Sequence, residues 1–79
     1  MFEPKTKTVE IEGQRVTLRQ LTIGESIEMA EDADLAEVVA LAWVEPDGVT
    51  ADDVRKWPMT IVTKLYDVCA ELNGLAEGN

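Results

Sequence analysis

Residues 7–21, KTVEIEGQRVTLRQL, decide the fold of this chain. Apolar residues alternate with polar ones on both sides of Gly13, and the four apolar positions are Val9, Ile11, Val16 and Leu18. Because successive side chains of a strand point to opposite faces, this period of two predicts a β-hairpin over about residues 7–20. An isolated hairpin is only marginally stable in water, so its apolar face must pack against the rest of the chain.

Helical patterns follow the hairpin, and three of them begin with a capping signal. In a capping box, a short polar side chain and an acid three residues later each accept a hydrogen bond from the other's backbone N–H. Three pairs fit this pattern: Thr22 with Glu25, Asp34 with Glu37, and Thr50 with Asp53. Apolar residues at spacings of three and four then predict helices at about residues 23–32, 35–44, 51–56 and 59–73.

The helices differ in how much of their surface is apolar. The second is the most apolar, so we expect it to lie at the centre of the domain. The first and last each carry one stripe: Ile23, Ile27, Met29 and Ala30 in the first, and Ile61, Val62, Leu65, Val68, Cys69 and Leu72 in the last. These patterns predict an α+β fold, with an N-terminal β-hairpin followed by a bundle of three to four short helices.

Glycines mark the turns that separate these elements. Pro46-Asp47-Gly48 predicts a turn after the second helix, since glycine accepts a positive φ. Gly74 is expected to end the last helix in the left-handed conformation, with Leu75 folding back on it. We therefore predict one small domain over residues 1–75 and a frayed tail over residues 76–79.

The charge of the chain excludes several classes of function. The 79 residues contain 16 acids and 7 bases, and the net charge of −9 is concentrated after residue 20. Such a field repels phosphate backbones, so we predict no direct binding to nucleic acid. No apolar run reaches the roughly 20 residues of a membrane span, which predicts a cytoplasmic protein with no membrane partner.

The residue types also argue against enzymatic, metal and cofactor chemistry. The chain has no histidine, and Cys69 is its only cysteine, so neither a zinc shell nor an activated thiol nucleophile is expected. Cys69 lies on the apolar stripe of the last helix, where a free cysteine acts as a small hydrophobe. A core this small rarely supplies more than about 3–5 kcal/mol, so we expect a homo-oligomer or a protein partner to add stability.

Two tryptophans stand at the edges of predicted helices, beside short loops. Trp43 and Trp57 either complete the small core or anchor an interface, and both interpretations stand at this point. The sequence predicts the following residues as partner contacts: Leu35, Val39, Trp43, Trp57 and Met59.

The order of these motifs resembles the small tail assembly chaperones of long-tailed bacteriophages and prophages. The likeness extends from about Val9 to Leu75 and is carried by successive motifs: the hairpin with VTLRQLTIGE, the PDG turn, the T-x-x-D helix start, a large apolar residue before Pro58, and ELNGL near the end. The chain departs from the usual pattern at Trp57, where leucine is common, and at Gly24 within the first helix.

The resemblance implies a non-enzymatic protein of the bacterial cytoplasm that is absent from the mature virion. Such chaperones coat the tape measure protein and help to recruit the major tail protein, and a ribosomal frameshift commonly produces a longer second form. Two other classes stay open. One is a small acidic inhibitor or adaptor of a basic host protein, including an inhibitor that mimics nucleic acid. The other is a structural component of the particle.

Overall fold

The computed structural model describes residues 2–29 and 31–74, which form a three-stranded sheet and four helices. The strands are β1 (Thr6–Ile11), β2 (Gln14–Arg19) and β3 (Trp43–Glu45). The helices are α1 (Ile23–Glu28), α2 (Leu35–Ala42), α3 (Ala51–Arg55) and α4 (Met59–Leu72). The predicted α+β class is confirmed, because an antiparallel hairpin leads into a set of short helices.

The hairpin forms where the alternating pattern predicts it. Val9 pairs with Val16, so the apolar residues of both strands share one face. The two-residue loop consists of Glu12 and Gly13, with φ angles of 53° and 80°. Positive φ at both central positions is typical of a type I′ turn, whose twist matches that of the flanking strands.

The structure corrects the predicted end of the second helix, where a third strand begins. That helix was expected to continue to residue 44, but α2 ends at Ala42, and Trp43 begins β3. β3 pairs antiparallel with β2, where Leu18 lies opposite Trp43. Aromatic and β-branched residues favour strands, and the pairing satisfies backbone groups of β2 that would otherwise lack partners.

The predicted helix starts are confirmed by their hydrogen bonds. Each capping box is complete, with backbone N–H to side-chain oxygen distances of 3.1 Å at Thr22, 3.0 Å at Asp34 and 3.2 Å at Thr50. The predicted end of the first helix is wrong, because α1 ends at Glu28 rather than near residue 32. Gly48 and Gly74 have the expected positive φ, while Leu75 and the predicted frayed tail lie outside the described residues.

The core lies between the sheet, α2, α3 and α4. It consists of nine buried residues: Val16, Leu18, Ala36, Val39, Ala42, Val54, Val62, Leu65 and Cys69. α2 contacts α3, α4 and β2, which confirms its predicted central position. The apolar face of the hairpin packs on α4, so the sheet obtains the support that an isolated hairpin lacks.

α1 differs from the other helices because none of its residues is buried. Ile23 is 81% exposed and Ile27 is 76% exposed, so these two residues of the predicted stripe do not face the core. Met29 lies beyond the end of α1, and Ala30 lies outside the described residues. A helix of six residues is too short to be stable in isolation, so contacts with its neighbours must hold it in place.

Candidate protein-interaction surface

Within residues 2–29 and 31–74, no group of three or more carboxylate or thiol side chains is arranged to hold a metal ion. In the same part of the chain, no helix is both long enough and apolar enough to cross a membrane. The surface features described below are apolar depressions and acidic side chains.

Cys69 is confirmed as a core residue, and burial raises the pKa of its thiol to about 11. Compared with the ordinary value of 9.0, this pKa lowers the thiolate fraction at a given pH about 100-fold. We therefore expect native Cys69 to react with a disulfide reagent at pH 8 at least about 100-fold more slowly than the urea-unfolded chain. Equal rates in the two states, measured by thionitrobenzoate release, would contradict this packing.

The residues predicted as partner contacts differ widely in exposure. Val39 is fully buried in the core, so its prediction as a partner contact is wrong. Its stripe on α2 faces the sheet and α4, because α2 is enclosed on most sides. Leu35 is 42% exposed and Met59 is 81% exposed, and each lies at the first residue of its helix.

The two tryptophans pack against each other rather than standing apart. Their ring centroids lie 5.4 Å apart with the planes tilted by 54°, and both rings are half-buried against the core. The indole Nε1 of Trp43 donates a hydrogen bond of 2.6 Å to the carbonyl oxygen of Pro46. The core interpretation therefore holds in part, because the rings pack on the core on one side. The interface interpretation stays a prediction for the side that reaches the surface.

The exposed side of this pair lines a small cavity, which we call the tryptophan pocket. Its volume is about 210 Å³, and its apolar lining is formed by Ile11, Val16, Trp43, Trp57, Pro58 and Ile61. Ile11 and Ile61 were predicted only as apolar positions of the hairpin and of the last helix. Their place beside the tryptophans follows from the packing of the hairpin tip on the first turns of α4.

A larger depression, which we call the α1 groove, lies between α1, α2 and α4. Its volume is about 460 Å³, and its main apolar lining is formed by Leu21, Ile23, Met29, Val38, Tyr66 and Ala70. The tryptophan pocket and the α1 groove share no lining residue. The two apolar surfaces are therefore separate.

Polar contacts hold α1 beside this groove. Arg19 at the end of β2 donates hydrogen bonds of 2.8 and 2.5 Å to the two carboxylate oxygens of Glu25. The same guanidinium donates to the carbonyl oxygen of Leu41 at 3.0 Å, which links β2, α1 and α2. The backbone N–H of Leu21 donates to Oδ1 of Asn73 at 3.0 Å, so the chain entering α1 is also tied to the end of α4.

The other flank of α1 is acidic. A depression of about 590 Å³ there is lined by Glu25, Glu28 and Glu37, together with Met29, Ala40, Leu41 and Ala51. The ion pair with Arg19, and secondly the backbone N–H of Thr22, lower the pKa of Glu25 to about 2. Met29 lines both depressions, so the apolar groove and the acidic flank adjoin each other.

Sequence reasoning missed the α1 groove although its helix was predicted. The available signal was Ile23 and Ile27, four residues apart on a helix with few other large apolar residues. Periodicity shows that such residues share a face, but it does not show whether that face is covered.

Comparisons of the chain with protein-family models, with curated proteins and with solved structures find no match. The functional argument therefore depends on the motifs of the sequence and on the geometry of these surfaces.

Proposed function

We propose that this protein is a tail assembly chaperone of a long-tailed bacteriophage or prophage. It binds and solubilises the tape measure protein in the bacterial cytoplasm, helps to recruit the major tail protein, and is absent from the finished tail. The succession of sequence motifs supports this class of protein, and the structure contributes a surface suited to the task.

The observation that carries the proposal is an open apolar groove lined by Ile23, with the exposed Ile27 one turn further along α1 and outside the lining. Ile23 and Ile27 are 81% and 76% exposed, and they belong to a helix with no buried residue. An amphipathic client helix places its apolar side chains three and four residues apart, which suits a groove between helices. Burial of that surface would remove from water the side chains that make a long amphipathic helix aggregate.

The charge of the chain fits the same role. The acidic side chains are concentrated in residues 20–54, and the protein carries a net charge of −9. A complex of this chain with an apolar client would retain that charge, and a net charge far from zero opposes aggregation. Several copies bound along one long client would add their weak contacts together, as expected of a coating chaperone.

Co-expression tests the proposal directly. The partner to test is the long, mainly helical protein that the proposal places in the reading frame downstream, and the readout is its soluble fraction and its co-purification at moderate salt. We expect this chain to convert the client from insoluble to soluble and to elute with it. A small acidic protein of similar charge serves as the control, and equal rescue by that control would overturn the proposal.

A different class is favoured by one specific observation, the distribution of charge. Residues 20–54 contain ten acids and no lysine or arginine, as an acidic inhibitor or nucleic-acid mimic would require. Ionic contacts weaken as salt rises because mobile ions screen them. A complex that dissociates between about 0.1 and 0.5 M salt would favour the inhibitor class, whereas apolar coating should persist over that range.

A further inference from the structure

We propose that the α1 groove binds an α-helix whose buried face is apolar and whose flanking polar face is rich in lysine and arginine. This inference deepens the proposed function and rests on it for the identity of the client. It specifies which segments of a long client this chain selects, namely those that are both amphipathic and basic.

The groove is apolar surface that the fold leaves open. Ile23 and Ile27 point away from the core, and Met29, Val38 and Tyr66 are only partly buried. α1 is held by its capping box, by Arg19 and by the adjoining bond of Leu21 to Asn73, which are polar contacts. The exposed isoleucines therefore contribute little to folding and are available to a partner.

The shape of the site selects a helix rather than a strand. Strand addition requires an unpaired sheet edge, and the edges of the sheet β1-β2-β3 are β1 and β3. The lining of the groove contains no residue of either edge strand, and it consists mainly of side chains from α1, α2 and α4. Side chains of a third helix pack into the depression between neighbouring helices by the ridges-into-grooves rule.

The charge around the groove selects a basic partner. Glu28 and Glu37 line the adjoining flank of α1, and Glu31 and Asp32 follow in the exposed connection to α2. Arg19 already pairs with Glu25, and Arg55 pairs with Glu37 and Asp34. The acidic charge offered to a partner is therefore mainly that of Glu28, Glu31 and Asp32, while Lys5 lies in the depression that also contains Ile23. A second copy of this chain brings the same acidic surface and is repelled, whereas lysines and arginines that flank an apolar helix face complement the site.

Synthetic peptides test the inference with the purified full-length protein. Three helical peptides share one apolar face, and their polar faces carry lysine and arginine, glutamine, or glutamate. We expect fluorescence anisotropy at 0.15 M salt to show at least tenfold tighter binding of the basic peptide than of the glutamine peptide, and the weakest binding for the acidic one. Equal affinity for all three would overturn the basic preference.

Matched variants locate the binding site. I23Q/I27Q should lower the affinity for the basic peptide at least tenfold. M59Q should leave this affinity unchanged, although Met59 and Ile23 are both 81% exposed. E28Q/E31Q should weaken binding of the basic peptide several-fold, and E10Q/E45Q, which removes two exposed carboxylates on the sheet, should not. Circular dichroism confirms that each variant is folded, and glutamine preserves helix propensity.

These outcomes separate the inference from the proposed function. If I23Q/I27Q solubilises the client as efficiently as the wild type does, the proposal that the α1 groove binds the client is overturned, but the chaperone proposal stays intact. Loss of binding in M59Q instead would place the contact near the tryptophan pocket, as the sequence predicted. Binding of the basic peptide without any rescue of the client would support helix binding in the α1 groove and refute the chaperone proposal.

Discussion

Replacement of Leu18 with alanine is expected to leave a large fraction of the isolated protein unfolded at 25 °C. Leu18 is fully buried, and it lies on the central strand, opposite Lys7 of β1 and Trp43 of β3. Truncation of a buried leucine to alanine costs about 2–5 kcal/mol, because transfer free energy is lost and a cavity remains. A single core of this size rarely supplies more than about 3–5 kcal/mol in total.

Urea unfolding followed by tryptophan fluorescence measures this effect, since Trp43 and Trp57 pack on the same core. The matched control is Leu35→Ala, because Leu35 is 42% exposed and its truncation should cost less than about 1 kcal/mol. Similar unfolding midpoints for the two variants would show that Leu18 is not the centre of the core.

Replacement of Arg19 with methionine is expected to release α1 while the rest of the core stays folded. Arg19 donates to both carboxylate oxygens of Glu25 and to the carbonyl oxygen of Leu41, and about a quarter of each side chain in the ion pair is exposed. Removal of hydrogen bonds between partly buried and charged groups costs about 1–3 kcal/mol. This is comparable with the stability expected for the attachment of a six-residue helix.

Amide hydrogen exchange distinguishes local release from global unfolding. In R19M, protection should fall across residues 23–28 and persist in α4. Arg15→Met is the control, since Arg15 lies on the same strand but is exposed opposite Glu10. Equal loss of protection in both variants, or in α1 and α4 alike, would argue against a specific attachment through Arg19.

The same ion pair predicts how α1 responds to acid. The pKa of Glu25 is lowered from 4.5 to about 2 by the hydrogen bonds from Arg19 and then by the backbone N–H of Thr22. A group with a lowered folded-state pKa stabilises the fold fully above its unfolded value, and the contribution disappears as the pH falls through the folded value. The attachment should therefore weaken between pH 4.5 and about 2, and carboxyl NMR of Glu25 should show a higher pKa in R19M.

Local signals account for the parts of the fold that the sequence predicted. The hairpin, the three capping boxes and the positive φ at Gly48 and Gly74 depend on residues close together in the chain. The capping boxes and the glycine turns are satisfied within one turn, so tertiary packing does not have to decide them. The register of the hairpin is set by its own alternation and turn, although its stability requires the core. The apolar stripe of α4 was predicted for the same reason, since three buried residues repeat at helical spacing.

The candidate surfaces could be predicted only in part. Trp43 and Trp57 were identified as a possible anchor, but their mutual packing joins residues 14 positions apart through a strand that the pattern did not reveal. Val39 was assigned to the partner surface because the sequence shows an apolar stripe on the helix but does not show which element covers it. Ile23 and Ile27 were recognised as apolar helix positions, yet their exposure became clear only from the packing of α1.

The sequence by itself determined the α+β class, the turns, the helix starts, the acidic charge and the absence of histidine chemistry. Each of these depends on composition or on interactions between near neighbours, which a linear pattern records. The tertiary structure alone decided that residues 43–45 pair with β2, that Val39 is enclosed, and that the isoleucines of α1 stay in water. Those outcomes depend on which distant surfaces compete for burial, and periodicity specifies a face without specifying what covers it.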